Sequence, residues 1–237
     1  MNVLPTSEDI FLTGTEGDDF LQGSKNDDNL SGLDGNDSLI GGKGDDNLEG
    51  GNDNDSLNGG KGDDTLSGGN DNDSLNGGKG DDNLEGGNGN DSLNGGKGDD
   101  NLEAGNGDDS LNGGKGDDIL SGGIGSDTLI GGKGDDSLNG SLDDDILIGG
   151  KGYDTLAGSL GRDKFVLSLG HGQDIIQDYT DGEDSFLLRD GLTFMALSIT
   201  DNADGDTIIR TQNDGVLAIL EGVNSQIIDA GDFTSIG

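Results

Sequence analysis

A single apolar position recurs every nine residues through about two thirds of this 237-residue chain. Seventeen leucines occupy it without exception, from Leu12 to Leu156. Polar residues flank many of these leucines, as in the unit Asn47-Leu48-Glu49. Such alternation places the leucine on one face of a short strand and its neighbours on the other. A fixed nine-residue period of short strands predicts a solenoid rather than a globular core.

A second period, twice as long, lies over the nine-residue one. The third position of alternate units is lysine: Lys25, Lys43, Lys61, Lys79, Lys97, Lys115, Lys133 and Lys151. Several units between them have asparagine there: Asn52, Asn70, Asn88 and Asn106. Two nonapeptides then form one coil, and equivalent residues of successive coils stack at about 4.8 Å. We predict an all-β, right-handed parallel β-roll with two sheets, two columns of turns and a length of about 40 Å.

The spacing divides the chain into three predicted domains. Residues 1–13 are an entry segment whose first strand is Ile10, Phe11 and Leu12, and residues 14–166 hold seventeen nonapeptides. Residues 167–237 break the period and predict a β-rich cap. Within it, Asp206–Arg210 and Val216–Leu220 flank Asn213-Asp214-Gly215, which is typical of a hairpin. Bulky residues are predicted to cover the open end of the roll: Phe165, Val166, Phe186 and Phe194.

The composition cannot account for this fold without a cation. The net charge is −38, only 27% of the residues are hydrophobic, and there is no cysteine to form a disulfide. Such a chain buries too little apolar surface to offset the entropy of ordering 50 glycines. The charge also excludes nucleic acid as a partner, and no apolar run is long enough to span a membrane.

An acidic position accompanies the leucine at the same period. Aspartate fills the sixth position of every unit: Asp19, Asp28, Asp37, Asp46, Asp55, Asp64, Asp73, Asp82, Asp91, Asp100, Asp109, Asp118, Asp127, Asp136, Asp145, Asp154 and Asp163. Glycines before it permit left-handed turns, and Asn26, Asp53, Asp71 and Asp143 replace the fourth-position glycine with residues that tolerate such angles. Carboxylate and carbonyl oxygens in a flexible turn suit Ca²⁺ better than Mg²⁺, and repeats without Cys or His disfavour zinc.

These motifs carry a family resemblance. The unit GG-K/N-G-D/N-D-x-L-x is similar to the RTX, or haemolysin-type, calcium-binding nonapeptide. The resemblance implies that each ion lies between consecutive turns of one column, where the aspartates bridge neighbouring coils. It implies carbonyl ligands at Gly42, Gly44, Gly60, Gly62, Gly78, Gly80, Gly96, Gly98, Gly114, Gly116, Gly132 and Gly134.

Seventeen turns form columns of nine and eight, so at most eight plus seven, or fifteen, ions fit between neighbours. Fifteen Ca²⁺ carry +30, which nearly balances the charge of −38. Turns with Leu33, Ser141 and Leu142, Tyr153, or Ser159 and Arg162 depart from the pattern, and we expect their sites to be weak or empty. The lysines are expected to reduce repulsion along their column rather than to bind a ligand.

The end of the chain also resembles a known region. The segments RDKFVLSLGHGQDIIQDY, GDTIIRTQNDGVLAILEGV and DAGDFTSIG are similar to the cap of secreted RTX proteins. This resemblance implies an uncleaved C-terminal signal read by type I secretion machinery. It would explain why the segment MNVLPTSEDIFLTG does not have the pattern of an ordinary signal peptide.

The sequence favours a secreted, non-enzymatic calcium-binding protein with a structural role at a cell surface or in a matrix that contains polysaccharide. The only histidine is His171, which excludes a HExxH metalloprotease site, and GGKG lacks the Ser or Thr of a phosphate loop. Two alternatives remain open: an ice- or glycan-binding adhesin, and the repeat tail of a secreted toxin or hydrolase. Met1 and the leading segment favour a whole chain over a detached tail.

Overall fold

Short strands from β1 to β20 alternate between two sheets. The computed structural model describes residues 8–211 and 215–236. The first sheet contains β1 (Phe11–Thr13), β3 (Asn29–Asp34), β5 (Asn47–Asn52), β7 (Thr65–Asn70), β9 (Asn83–Asn88), β11 (Asn101–Asn106), β13 (Ile119–Ile124), β15 (Ser137–Leu142), β17 (Thr155–Leu160), β19 (Asp174–Ile176), β21 (Leu197–Asp201), β22 (Thr207–Thr211) and β23 (Val216–Leu220).

The second sheet contains the strands in between. They are β2 (Phe20–Gln22), β4 (Ser38–Ile40), β6 (Ser56–Asn58), β8 (Ser74–Asn76), β10 (Ser92–Asn94), β12 (Ser110–Lys115), β14 (Thr128–Lys133), β16 (Ile146–Lys151), β18 (Lys164–Leu167), β20 (Ser185–Leu188) and β24 (Phe233–Ser235). Within the described residues, three short 3-10 helices, Phe194–Ala196, Ser225–Ile227 and Ala230–Asp232, lie in the C-terminal segment.

The register between strands confirms the two-sheet solenoid. Each repeat strand pairs in parallel with the strand two nonapeptides later, as Leu48 pairs with Leu66 and Leu57 with Leu75. The chain therefore visits each sheet once per coil, and the coil is two nonapeptides long. The turns that precede strands of the first sheet form one column, the lysine column. Those that precede strands of the second sheet form the other, the asparagine column.

The leucine ladder forms the core, as the alternation predicts. From Leu30 to Leu156 each leucine of the nine-residue series is at most 2% exposed, while Leu12 and Leu21 are partly buried because they lie in the first coil. The ladder does not end with the leucines. Phe165 pairs with Leu147, and Phe186 pairs with Phe165, so aromatic rings continue the same stack. Both rings are completely buried.

The parallel sheets also continue past residue 166, where the nine-residue spacing changes. Strand β19 pairs in parallel with β17, and β20 with β18. Beyond them, β23 pairs in parallel with β19 and extends the first sheet. Strand β22 then pairs with β23, and β21 with β22, both in antiparallel orientation. The predicted hairpin strands are therefore paired, while Asn213 and Asp214 of its turn lie outside the described residues. Phe194 packs on Phe233, with ring centroids 5.2 Å apart.

Candidate calcium-binding turns

Left-handed backbone at two positions shapes most of the glycine-rich turns. In the unit 59–64, Gly60 has φ +115° and Gly62 has φ +117°. Asp53, Asp71 and Asp143 adopt φ of 71° to 73° at the fourth position, as the sequence predicts. Asn26 does not have a positive φ, so that part of the expectation is wrong. Its turn contains Ser24 in place of the second glycine, and the Asn26 N–H donates to the Ser24 hydroxyl.

The sixth-position aspartates are buried rather than solvated. From Asp28 to Asp163 none is more than 3% exposed, and Asp19, in the first coil, is half-buried. One carboxylate oxygen, Oδ1, reaches back and accepts the N–H of the aspartate one coil earlier; the Asp64 N–H donates to Asp82 at 2.8 Å. The same bond recurs along both columns with lengths of 2.6 to 2.9 Å. Each aspartate thus joins two coils.

The other carboxylate oxygen accepts no hydrogen bond. Fourteen buried aspartates have such an unpartnered Oδ2: Asp37, Asp46, Asp55, Asp64, Asp73, Asp82, Asp91, Asp100, Asp109, Asp118, Asp127, Asp136, Asp145 and Asp154. A buried charged oxygen without a partner costs several kcal/mol or more unless a cation or a donor satisfies it. Because such an oxygen recurs in every inner turn, each of these turns has a carboxylate oxygen that is free to bind a cation.

Backbone carbonyl oxygens of one turn lie next to the glycines of the following turn in the same column. A Cβ added to Gly62 would overlap the carbonyl oxygen of Gly44, and one on Gly78 would lie 2.6 Å from that of Gly60. The second- and fourth-position carbonyls therefore point along the column into the gap between consecutive turns. Among the described residues no group of three or more His, Cys, Asp or Glu side chains could hold a metal. This all-oxygen donor set fits calcium.

The asparagine column has the same carbonyl arrangement, which the sequence interpretation did not include. A Cβ on Gly69 would overlap the carbonyl oxygen of Gly51, and one on Gly107 that of Gly89. The signal was available, because the second- and fourth-position glycines of this column repeat with the same spacing. Both columns therefore present aspartate and carbonyl oxygens between turns.

Two further aspartates extend the ladder beyond Asp163. The Asp163 N–H donates to Asp184 Oδ1 at 2.9 Å, and Asp174 follows Asp154 in the lysine column. The sequence interpretation missed both because their coils are longer than two nonapeptides. The detectable signal was the pattern of Asp, any residue, then a bulky apolar residue, in Asp174-Ile175-Ile176 and Asp184-Ser185-Phe186.

Three turns near the ends of the ladder satisfy their own carboxylate. The second-position N–H donates to the aspartate four residues later: Thr15 to Asp19 at 2.6 Å, Ser24 to Asp28, and Thr180 to Asp184 at 2.7 Å. In these turns a backbone donor occupies the Oδ2 that is unpartnered in the inner turns. Asp19 and Asp28 therefore differ from the fourteen aspartates whose Oδ2 has no partner.

Burial raises the pKa of the inner aspartates strongly. Loss of solvation, together with neighbouring carboxylates, raises the pKa of Asp82 to about 7 and that of Asp136 to about 7. The N–H that each Oδ1 accepts opposes this effect. The pKa of Asp174 rises to about 8, mainly through burial and then through the charge of Asp154. Without a cation, each of these carboxyl groups is protonated at a higher pH than an exposed aspartate.

The chain belongs to the RTX calcium-binding nonapeptide repeat family. The family model, described as "RTX calcium-binding nonapeptide repeat (4 copies)", matches residues 13–48, 49–84, 67–102, 85–120, 94–129, 121–156 and 139–176. These matches cover more than half of the chain and extend beyond Asp163 to the turn that contains Asp174. Repeats of this family bind calcium.

Two solved structures are similar to the chain. One is the extracellular lipase LipA from Serratia marcescens, with 15% identity over 76% of this chain and 40% of that chain, and a TM-score of 0.38. The other is the AlgE6R3 subunit of the Azotobacter vinelandii mannuronan C5-epimerase, with 26% identity over 56% of this chain and 78% of that chain, and a TM-score of 0.24. The chain thus spans less than half of the lipase. No curated protein matches it.

Proposed function

We propose that this protein is a calcium-triggered folding module that binds a stack of Ca²⁺ ions between the turns of both columns. The observation that carries the proposal is the series of fourteen buried carboxylate oxygens without a hydrogen-bond partner. Each would face carbonyl oxygens of the adjacent coil, so that one ion neutralises charge and holds two coils together. Because a site needs two adjacent coils in place, binding free energy becomes folding free energy.

The proposed ligands are the sixth-position aspartates and the second- and fourth-position carbonyls. The inner turns, Asp37 to Asp154, carry the strongest requirement for an ion because their Oδ2 has no donor. Asp19 and Asp28 already accept a backbone N–H there, so we expect them to contribute less. The upper limit of fifteen ions remains a proposal, as do weak sites beside Leu33, Ser141 and Ser159, which hold positive φ without glycine.

Neighbouring residues Asp81 and Asp82 provide a matched test. Asp82 is buried with an unpartnered Oδ2, whereas Asp81 is exposed and its Oδ1 accepts the Asp99 N–H at 2.9 Å. Asp82→Asn removes a shared ligand and should abolish two neighbouring sites, measured as a loss of about two ions by equilibrium dialysis at saturating calcium. Asp81→Asn removes the same charge and should retain the stoichiometry.

The folding itself is tested by far-UV circular dichroism during a calcium titration, with magnesium as the control. We expect a cooperative transition to β structure near millimolar calcium, as for extracellular modules, and none with magnesium. A wild-type chain that takes up no calcium, or an Asp82→Asn variant with unchanged stoichiometry, contradicts the proposal.

We further propose that the protein works outside the cell. Weak sites with dissociation constants of about 10⁻⁴ to 10⁻³ M would stay empty in the cytosol and fill after export. The chain would then remain unfolded, as passage through type I machinery requires. Among the described residues no helix is long and apolar enough to cross a membrane. Deletion of residues 167–237 should abolish export, and a deleted protein found in the medium argues against this role.

A binding role is favoured over catalysis, with polysaccharide as the proposed partner. Regular polar ladders follow the outer faces: Asn70, Asn88 and Asn106 each donate an amide hydrogen bond to the residue one coil earlier at 2.7 to 2.8 Å. Such a row offers repeated donors and acceptors to a regular polymer. Glycan-binding and ice-recrystallisation assays on the calcium-loaded protein distinguish this role from ice binding, and an absence of glycan binding argues against it.

A further inference from the structure

Two rows of side chains cross the outer face of the first sheet from its first strand. One row is Phe11, Asn29 and Asn47, and the other is Thr13, Ser31 and Glu49, each stacked in register. Successive members of a row lie about 4.8 Å apart. All six residues line a shallow cavity of about 190 Å³. An aromatic ring, two amides, two hydroxyls and a carboxylate therefore surround one depression.

A second cavity, of about 390 Å³, adjoins the first one. Both cavities are lined by Ser31 and Glu49, so they lie on either side of that row. The second cavity is also lined by Asn52 and Asn70 of the asparagine column. Gly51 keeps the space between these walls open, because it has no side chain and holds φ +126°, which other residues rarely adopt.

Hydrogen bonds between coils hold the amides of both cavities in place. The Asn47 amide donates to Asn29 Oδ1 at 3.3 Å. The Asn52 amide donates to Asp34 Oδ1, and the Asn70 amide to Asn52 Oδ1, each at 2.7 Å. A side-chain amide has two N–H groups, so each of these residues keeps a second donor for a ligand. Because the side chains are already ordered, a ligand that uses them causes little further loss of rotamer entropy.

The Phe11 ring adds an apolar surface to these polar groups. It is 77% exposed. A single exposed ring is common in folded proteins, but this ring borders a cavity that is lined by hydrogen-bonding side chains. An apolar surface with a few convergent polar groups is the usual composition of a small-ligand site. Sugar rings match it, because they have an apolar face of C–H groups and a rim of hydroxyl groups.

The charges around the two cavities restrict the class of sugar polymer. Glu49 lines both cavities, Asp34 lines the second one, and both carboxylates are exposed. The net charge of the chain is −38. An anionic polymer would be repelled by this surface, whereas hydroxyl groups can donate hydrogen bonds to the carboxylates.

We propose that the outer face of the first sheet, from Phe11 to Asn70, binds a neutral polysaccharide. One sugar ring packs on Phe11, and the hydroxyl groups of the following sugars bind Asn47, Glu49 and Asn52. The inference rests on the proposed binding role of the protein. It deepens that role, since it names the part of the face that binds and the charge class of the polymer.

Affinity electrophoresis of the full chain in calcium tests the class of polymer. Hydroxyethylcellulose, galactomannan and dextran are the neutral polymers in the gel, and carboxymethylcellulose is the anionic counterpart of the first. We expect at least one neutral polymer to retard the wild type and carboxymethylcellulose not to do so. Retardation by carboxymethylcellulose alone would overturn the inference and leave a polysaccharide partner in place.

Phe11→Ala tests the site itself. It should weaken binding to the retarding polymer by about tenfold, because the stacking surface is lost. The control is Phe20→Ala, since Phe20 is 63% exposed on the second sheet and lines neither of the two cavities. Far-UV circular dichroism in calcium should show that both variants fold as the wild type does. If Phe11→Ala binds as tightly as the wild type, the inference is overturned.

Asn47→Ala tests the polar part of the site and should weaken binding about three- to tenfold. Its control is Asn101→Ala, because Asn101 holds the same position in a later coil and donates an equivalent bond to Asn83 at 2.7 Å. Equal losses in the two variants would show that binding is not confined to the proposed part of the face. A calcium-folded wild type that is retarded by none of the polymers would contradict the polysaccharide partner itself, while calcium binding by the turns would stand.

Discussion

The repeats and the C-terminal segment hold similar strands together by different means. A repeat coil buries two leucines and two aspartates, and each inner aspartate has an oxygen without a donor. The C-terminal segment instead packs rings: Phe186 stacks on Tyr179 at 4.9 Å and on Phe233 at 5.0 Å. Its last ladder aspartate, Asp184, is satisfied by backbone donors. We propose that the repeats depend on an added cation, whereas the C-terminal segment is held mainly by packed rings that continue the shared core.

Removal of calcium should have the largest effect and should act on the repeats first. We expect chelation to eliminate most of the β signal in far-UV circular dichroism. In hydrogen exchange at stepwise lower calcium, amides near Leu30 should lose protection before those near Leu156, because the latter lie next to the ring-packed segment. Simultaneous loss along the whole chain would contradict the comparison.

Phe186→Ala tests the core of the C-terminal segment. The ring is completely buried and contacts Phe165, Tyr179 and Phe233. Its removal should cost about 3–5 kcal/mol in calcium, measured by denaturant unfolding. Phe11→Ala is the control, because that ring is 77% exposed and its loss should cost little. Equal destabilisation by the two variants would mean that ring packing does not stabilise the C-terminal segment, and the contrast with the repeats would fail.

The sequence predicts the repeats far better than it predicts the C-terminal segment. One leucine and one aspartate every nine residues determine the strand, its inward side chain and its partner two nonapeptides away, and the structure has all three. Period-based reasoning fails where coils lengthen, because Asp174 and Asp184 follow Asp154 and Asp163 at wider spacings than the repeat allows. The sequence analysis expects Phe165 and Phe186 to cover the open end of the roll. In the structure they continue the core ladder instead.

Individual hydrogen bonds lie beyond what the period can predict. Asp28 and Asp46 hold the same position in the repeat, yet the Ser24 N–H satisfies Asp28 Oδ2 while Asp46 Oδ2 has no partner. The backbone at the second position differs, since Gly42 holds φ +122° whereas Ser24 does not adopt a positive φ. Whether an N–H donates to the aspartate Oδ2 therefore depends on the backbone angles of each turn and not on the spacing of the repeat.

Acid should partly replace calcium in the repeats. In the calcium-free roll the pKa of Asp82 is raised to about 7 from an ordinary value of 3.8. The stability linked to a raised pKa is fully present below 3.8 and is lost as the pH rises through about 7. In chelator, circular dichroism should therefore show more β structure at pH 4 than at pH 8.

High salt distinguishes protonation of the buried carboxyl groups from a general reduction of charge repulsion. High salt at pH 8 screens the net charge of −38 but protonates no buried carboxyl, so it should restore less structure than acid. With calcium present the sign reverses, because ions compete with protons and the calcium midpoint should rise as the pH falls below about 7. A chelated chain that is equally unfolded at pH 4 and pH 8 would show that the carboxylates are not what opposes folding.

The smallest effect concerns the part of the repeats that does not depend on an ion. The Asn94 amide donates to Asn76 at 2.7 Å and accepts from Asn112 at 2.8 Å on the outer face of the second sheet. Asn94→Ala breaks both bonds and should cost about 1–2 kcal/mol in saturating calcium. Ser92→Ala, at an exposed position on the same strand, should change stability by about 0.5 kcal/mol or less. If Asn94→Ala is also neutral, the hydrogen bonds among Asn76, Asn94 and Asn112 do not stabilise the roll. The repeats would then rely on calcium and the buried leucines alone, and their contrast with the C-terminal segment would be larger.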